Sequence, residues 1–259
     1  MTTATANGPI VVKIGGSTLG AEDTTLDDVV ALQRAGQQVI VVHGGGAMIT
    51  SWLDKMEITS EFVDGLRSTS SEAMNVVVAV LRGVINTQLV ADIGARGGRA
   101  VGLCGVDGGI VQAERFDERL GMVGRVTNVD GDFIRQICAT GAIPVIAPIG
   151  LEPPAQALNI NADTVAGEVA RAVHASRLVF LTDVDGLLDA DKQLIANLDP
   201  ARAGELRAAG TIGGGMIPKV EACLRAAEVG TLAHMANGLR SGALMQLVEG
   251  ARLGTLVEA

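Results

Sequence analysis

Short runs of β-branched and aliphatic residues alternate along this chain with longer stretches of helical periodicity, and that alternation restricts the fold more than any other feature. Runs that are apolar at successive positions belong to strands buried on both faces, and strands separated by helix-length segments pair in parallel. Core strands are predicted at 10–14, 38–43, 99–103, 143–147, 178–182 and 231–235. Helices are predicted at 23–34, 47–56, 71–93, 131–140, 162–174, 200–209, 218–229 and 242–249. The stretches 62–69, 108–129 and 150–160, rich in Gly, Asp and Val, read as hairpins that would sit as an antiparallel edge or flap. The expected class is α/β, a three-layer αβα sandwich around a mainly parallel central sheet. No repeat or linker interrupts the pattern. Residues 1–259 therefore read as one continuous domain with two lobes, about 1–177 and about 178–259.

Composition narrows the chemistry. Aromatic residues make up only 2% of the chain, with no tyrosine, so the core must be aliphatic and platforms for stacking nucleobases are scarce. A net charge of -9 argues against nucleic acid or an anionic membrane as partner, because both select basic surfaces. The longest apolar runs, such as 76–81, are far shorter than a membrane span, and the expectation is a soluble, cytoplasmic protein. Cys104, Cys138 and Cys223 are widely spaced among apolar residues without a paired motif, and read as buried free thiols.

Only four of the twenty basic residues are lysines, and two of those four stand in glycine-rich segments. Lys13 precedes Ile14-Gly15-Gly16, and Lys219 follows Gly213-Gly214-Gly215-Met216-Ile217-Pro218. Glycine lets backbone amides approach an anion, and lysine adds a compact charge on a flexible stem, so the pair points to phosphate chemistry. The strand at 38–43 runs into His43-Gly44-Gly45-Gly46 at a helix start, which forms an anion cradle without being a Walker loop or a dinucleotide fingerprint. A lone histidine there reads as structural rather than as a base. No spacing suits a metal cluster, and no nucleophile elbow is present. Arg67 follows a glycine turn, where its planar fork suits a carboxylate. In Asn159-Ile160-Asn161-Ala162-Asp163, either Asn161 or Asp163 could cap the following helix, but the three polar residues exceed what a cap needs. Asp183-Val184-Asp185-Gly186-Leu187-Leu188 is an acidic turn leaving a buried strand, where α/β sheets bind ligands.

Taken in order, Lys13-Ile14-Gly15-Gly16, His43-Gly44-Gly45-Gly46, Gly65-Leu66-Arg67, Ala100-Val101-Gly102-Leu103, Asn159 to Asp163, Leu181 to Gly186 and Gly215 to Val220 resemble the amino-acid kinase superfamily, and within it the N-acetylglutamate kinases. The resemblance implies an ATP-dependent kinase acting on the γ-carboxylate of N-acetyl-L-glutamate in arginine biosynthesis, with Mg²⁺ carried mainly by the nucleotide. It implies that Lys13 and Lys219 stabilise the transferring phosphoryl group, that Asp163 orients them, and that the amides of Gly16 and Gly45 bind phosphoryl oxygens. The acyl amino acid would be held by Gly45, Gly46, Arg67 and Asn159, with Asn161 beside them. The nucleotide would lie against Asp183, Val184, Asp185, Gly186, Leu187 and Leu188 and against Thr211, Ile212 and Gly213, its phosphates near Gly15, Lys13 and Lys219. Asp64 and Ser68 depart from the family's usual Asn and Val beside the substrate arginine. With about a dozen residues before Lys13, the resemblance implies a homodimer without arginine feedback. The alternatives are a superfamily member acting on another carboxylate or carbamate, and a non-catalytic nucleotide or anion sensor on the same fold.

Overall fold

The structure is a computed structural model that describes residues 8–15, 24–63 and 66–258. In chain order the first half comprises β1 (Ile10–Ile14), α1 (Thr25–Arg34), β2 (Val39–His43), α2 (Gly46–Lys55), β3 (Phe62–Val63), β4 (Leu66–Arg67), α3 (Ser71–Val78), a π-helical stretch (Ala79–Ile85), α4 (Asn86–Ala95), β5 (Ala100–Cys104), β6 (Val111–Arg115) and β7 (Gly124–Val129). The second half comprises α5 (Gly131–Ala139), β8 (Ile143–Ala147), β9 (Ile149–Glu152), β10 (Gln156–Asn159), α6 (Ala162–Ala172), β11 (Arg177–Thr182), β12 (Asn197–Leu198), α7 (Pro200–Ala208), α8 (Met216–Ala227), β13 (Leu232–Asn237), α9 (Ala243–Val248) and β14 (Thr255–Val257).

Eight strands form the central sheet in the order β12-β14-β13-β11-β1-β2-β8-β5. The six from β13 to β5 run parallel, whereas β14 is antiparallel to β13. Side chains alternate across this sheet as the pleat requires. Val11, Ile40, Val42, Leu178 and Phe180 pack on one side with apolar residues of α5, α6, α7 and α8. Ile10, Val12, Ile14, Val39 and Val41 pack on the other with α1, α4 and α9. The expected three layers are therefore present. Lys13 is in phase with Val11 and so projects toward the α6 side, although it sits in a central strand.

Strand order reverses at β1, with β2, β8 and β5 on one side and β11 and β13 on the other. Open α/β sheets bind ligands outside the carboxyl ends of strands at such a switch. Ile14 pairs with Leu181 and His43, which brings the Gly15 loop, the Asp183 turn and the Gly44 loop to one edge.

The structure refines three expectations. The predicted hairpins are present as antiparallel pairs and lie off the main sheet, as a flap rather than an edge. They assemble a separate four-stranded sheet, β10-β9-β6-β7, and β3 pairs with β4 alone, leaving β14 as the antiparallel strand of the central sheet. The helix foreseen at 71–93 contains a π-helical stretch, a departure frequently found at functional sites. That whole helical run, Ser71–Ala95, is also long and apolar enough to cross a membrane by length and composition, which a search for unbroken apolar runs passes over. Here Ala73, Val77, Val80 and Leu81 pack into a cluster with α2, Cys104 and Ala147.

His43 at the end of β2 and His234 on β13 are buried, and burial is the main cause that lowers each pKa from 6.5 to about 4. Between those values the unfolded chain binds the extra protons, so the stability of the neutral rings is fully present above about pH 6.5 and is lost as pH falls toward 4. At about 1.4 kcal/mol per pH unit, several kcal/mol depend on the two rings. The thermal midpoint should fall from about pH 7 to about pH 5, with proton uptake on unfolding in calorimetry across buffers of different ionisation enthalpy. A flat midpoint over that interval would contradict this burial.

Candidate functional site

Asp163 organises the site. It stands at the first turn of α6, where the unpaired amides of a helix N-terminus favour negative charge. Asn161 caps that helix, its Oδ1 accepting from the N–H of Asp163 at 2.8 Å and of Thr164 at 3.1 Å. The cap role thus falls to Asn161, and the Asp163 carboxylate is available for other partners. It has two. Lys13 Nζ lies 2.8 Å from Oδ1, and Lys219 Nζ lies 2.8 Å from Oδ2. The Lys219 contact is an aligned hydrogen bond, and Lys219 also donates to Gly215 O at 3.2 Å. The Lys13 contact is a charge contact without hydrogen-bond alignment. The other two lysines, Lys55 and Lys192, are exposed.

Two ammonium groups sharing one carboxylate leave an uncompensated positive charge where Lys13 is only 7% exposed and Asp163 only 5%. Removing such charge from water is costly unless a counter-anion arrives. The arrangement therefore demands an anionic ligand.

A cavity of about 260 Å³ opens beside this group. Lys13, Gly44, Gly45, Gly46, Arg67, Asn159, Asn161 and Asp163 line it, together with apolar Ile49, Leu66, Leu81 and Val123. The β3–β4 hairpin pairs Phe62 opposite Arg67, which places the guanidinium 4.5 Å from the ring centroid. Arg67 Nη2 donates to Thr50 Oγ1 at 2.6 Å and to Gly46 O at 3.1 Å, and Nη1 donates to Ser60 Oγ at 3.3 Å. Burial lowers its pKa, an effect opposed by Asp54. Among the described residues no carboxylate forms an ion pair with Arg67, so its charge is available to a ligand. Asn159 Nδ2 donates to Thr69 Oγ1 at 3.1 Å, and Thr69 Oγ1 donates to Arg67 O at 2.9 Å, tying the two cavity residues together.

Gly45 is closely packed. An added Cβ would lie 2.5 Å from Ile85 Cδ1 and 2.6 Å from Leu81 Cδ2, so the π-helical stretch packs directly under the glycine loop. Gly16, Gly65 and Asp64 lie outside the described residues.

Residues 8–237 match the Amino acid kinase family. This chain belongs to that family. It is 41% identical to the acetylglutamate kinase of Synechococcus elongatus over 261 residues, covering 97% of this chain and 87% of that protein. It is 41% identical to the acetylglutamate kinase of Novosphingobium aromaticivorans over 277 residues, covering 98% and 91%. The solved structure of smu.665 from Streptococcus mutans UA159 has a TM-score of 0.84 at 28% identity, covering 96% of this chain and 98% of that one.

The remaining candidates in this amino-acid kinase chain do not line the cavity; Gly15 and Asp183–Leu188 follow strands of the central sheet, and Thr211–Gly213 lie between α7 and α8. Asp183, Val184, Asp185 and Leu188 are exposed on the turn after β11, and Asp185 Oδ1 accepts from Asn237 Nδ2 at 3.0 Å. Leu187 and Ile212 point into the core. Gly186 packs against Thr255, where a Cβ would lie 2.7 Å from Oγ1. Thr211 is half-buried and Gly213 is exposed. Among the described residues no group of three His, Cys, Asp or Glu side chains could hold a metal ion. The cysteines are free and buried, and burial raises all three thiol pKa values, Cys138 to about 11.

Sequence reasoning passed over Thr50, Thr69 and Gly167. An isolated glycine inside a helical pattern was the one available signal, because glycine costs about 1 kcal/mol there and persists for a packing reason. The reason is α8. A Cβ on Gly167 would lie 2.7 Å from Ala222 Cβ and 3.0 Å from its Cα. Asp163 and Gly167 are one turn apart on α6, and Lys219 and Ala222 are one turn apart on α8, so this close approach sets the reach of Lys219 to Asp163. Gly167→Ala should push the helices apart and lower the turnover of the chain's kinase reaction by about tenfold or more, despite improved helix propensity. Unchanged turnover would show that α6 and α8 need not approach so closely.

Proposed function

We propose that this chain transfers the γ-phosphoryl group of ATP to the side-chain carboxylate of N-acetyl-L-glutamate, giving N-acetyl-L-glutamyl 5-phosphate and ADP in the second step of arginine (ornithine) biosynthesis. The observation that carries this reading is the pair of lysines on one buried carboxylate, beside bare glycine amides and a buried arginine that has no carboxylate partner among the described residues. The acetylglutamate kinase relatives, matched over nearly the whole chain, support the same substrate.

A carboxylate nucleophile is ionised at neutral pH, so the attack needs no general base. That fits a cavity whose neighbouring histidine is buried with its pKa lowered to about 4. The barrier is electrostatic and entropic, because one anion must approach another in line. Lys13 and Lys219 offset that repulsion, and Asp163 holds both ammonium groups where charge builds up in the transition state. At an effective dielectric near 20, a unit charge about 4 Å away contributes on the order of 4 kcal/mol before desolvation is subtracted. Arg67 attracts the α-carboxylate through its charge and its remaining N–H donors, Asn159 and the Gly46 amide orient the acyl amino acid, and the amides of Gly45 and Gly16 bind the phosphoryl oxygens. The nucleotide lies along Asp183–Leu188 and Thr211–Gly213, so residues from about 178 onward act as the nucleotide lobe and the preceding ones as the acyl-amino-acid lobe. Since the described residues present no carboxylate cage, Mg²⁺ would arrive on the nucleotide phosphates and neutralise part of their charge. The assembly we propose is a cytoplasmic homodimer, without nucleic-acid or membrane partners.

ADP release coupled to hydroxylamine trapping should give an acyl hydroxamate with N-acetyl-L-glutamate and much less with L-glutamate. Nucleotide binding without ADP formation would leave only an anion sensor. Lys13→Arg and Lys219→Arg should each lower kcat at least about a hundredfold although charge is kept, because the guanidinium is larger and directed differently. Near-normal turnover in either would remove the role given to the lysines. Arg67→Ala should raise the KM for N-acetyl-L-glutamate by roughly tenfold to a hundredfold and leave that for ATP nearly unchanged. An effect confined to ATP would reverse the two subsites.

A further inference from the structure

His43 is buried where β2 enters the glycine loop, and both of its ring nitrogens are engaged. Nδ1 lies 2.9 Å from Gly44 O, and Nε2 lies 3.1 Å from Asn86 Nδ2. The orientation of Asn86 follows from its other partners. Its Nδ2 donates to Val145 O at 2.8 Å, and its Oδ1 accepts from Arg82 Nη1 at 3.2 Å. An amide nitrogen only donates, so His43 Nε2 is the acceptor and the proton resides on Nδ1, donating to Gly44 O. Arg82 is held in turn, with Nη2 donating to Gly102 O at 3.0 Å and Nε 3.4 Å from Asp107 Oδ2. The fold makes room for this network. A Cβ on Gly102 would lie 2.1 Å from Asn86 Oδ1, and the π-helical stretch carries Arg82 and ends just before Asn86.

The Gly44–Gly45 peptide is trans, so its N–H points opposite to its carbonyl. With Gly44 O tied to the buried ring, the Gly45 N–H is turned toward the cavity. There, among the described residues, it meets no acceptor although Gly45 is buried. A peptide between two glycines rotates readily, because neither has a Cβ to restrict φ. Something must hold it.

We propose that His43 is a positioning residue for phosphoryl transfer: its Nδ1–H holds the Gly44–Gly45 peptide so that the Gly45 N–H meets the transferring group, and the Asn86–Arg82 network fixes the tautomer that does so. This rests on the reading of the cavity given above. Burial, with the charges of Arg82 and Lys13, keeps the ring neutral well below neutral pH. Neutrality matters because a second ring proton would confront the Asn86 donor.

The test compares His43→Leu, His43→Asn and Gly102→Ala with the wild type. Expected for His43→Leu is a loss in kcat of about tenfold to a hundredfold, with both KM values within about threefold. Affinity for MgADP with aluminium fluoride, a stand-in for the transferring phosphoryl group, should fall in parallel, while affinity for MgADP alone should not. His43→Asn, whose amide nitrogen reaches the Nδ1 position, should restore most of the loss. Gly102→Ala, which leaves His43 in place and displaces Asn86, should show the same selective loss even if His43→Leu fails to fold. Nitrogen NMR of the wild type, with only three histidines to assign, should show His43 protonated on Nδ1 alone. Protonation on Nε2, unchanged kcat in a folded His43→Leu, or equal loss of MgADP affinity would overturn the proposal. A wild type that makes no ADP from N-acetyl-L-glutamate would refute the functional reading instead and remove this proposal with it.

Discussion

The structure depends on one shared carboxylate. Asp163 draws Lys13 from a central strand and Lys219 from α8 onto its two oxygens, and in doing so joins the sheet to two helices at the point where strand order reverses. A single buried ion pair adds little net stability, because the Coulomb gain is spent against desolvation. Two cations on one anion are worse for the empty protein and better for a ligand-bound one, because the surplus charge is relieved only when a phosphoryl group or carboxylate enters. On the function we propose, the group is a functional device supported by the fold, and its cost is offset by the aliphatic packing on both faces of the sheet.

Close backbone approach is the second requirement, and it explains why glycines appear where they do. Gly167 lets α6 meet α8, Gly45 lets the glycine loop rest on Leu81 and Ile85, and Gly102 clears space for Asn86. None of these three lies in the left-handed region, so each also contributes by its missing side chain. An added methyl group at any of them would collide with a packed neighbour.

Much of this was legible in the sequence. Buried strands announce themselves by unbroken aliphatic runs, and the six core strands were placed to within a residue or two. Lys13, Lys219, Asp163, Arg67 and Asn159 stood out because scarce or polar residue types sat at strand and helix ends, and the structure gathers all five at one cavity or its edge. What escaped notice were features without a local signal. β12 and β14, of two and three residues, are too short to show periodicity. The π-helical stretch has no compositional mark. Thr50, Thr69 and the partnership of His43 with Asn86 depend on contacts across 17 to 90 positions, which only the folded chain creates.

The central claim is that both ammonium groups, still held by Asp163, converge on the group in transit. The most direct measurement is a crystal structure of the complex with MgADP, aluminium fluoride and N-acetyl-L-glutamate. The account requires Lys13 Nζ and Lys219 Nζ each within about 3.2 Å of the fluoroaluminate or its flanking oxygens. A complex in which either ammonium turns away, or in which the fluoroaluminate settles outside the Gly44–Gly46 cavity, would contradict it.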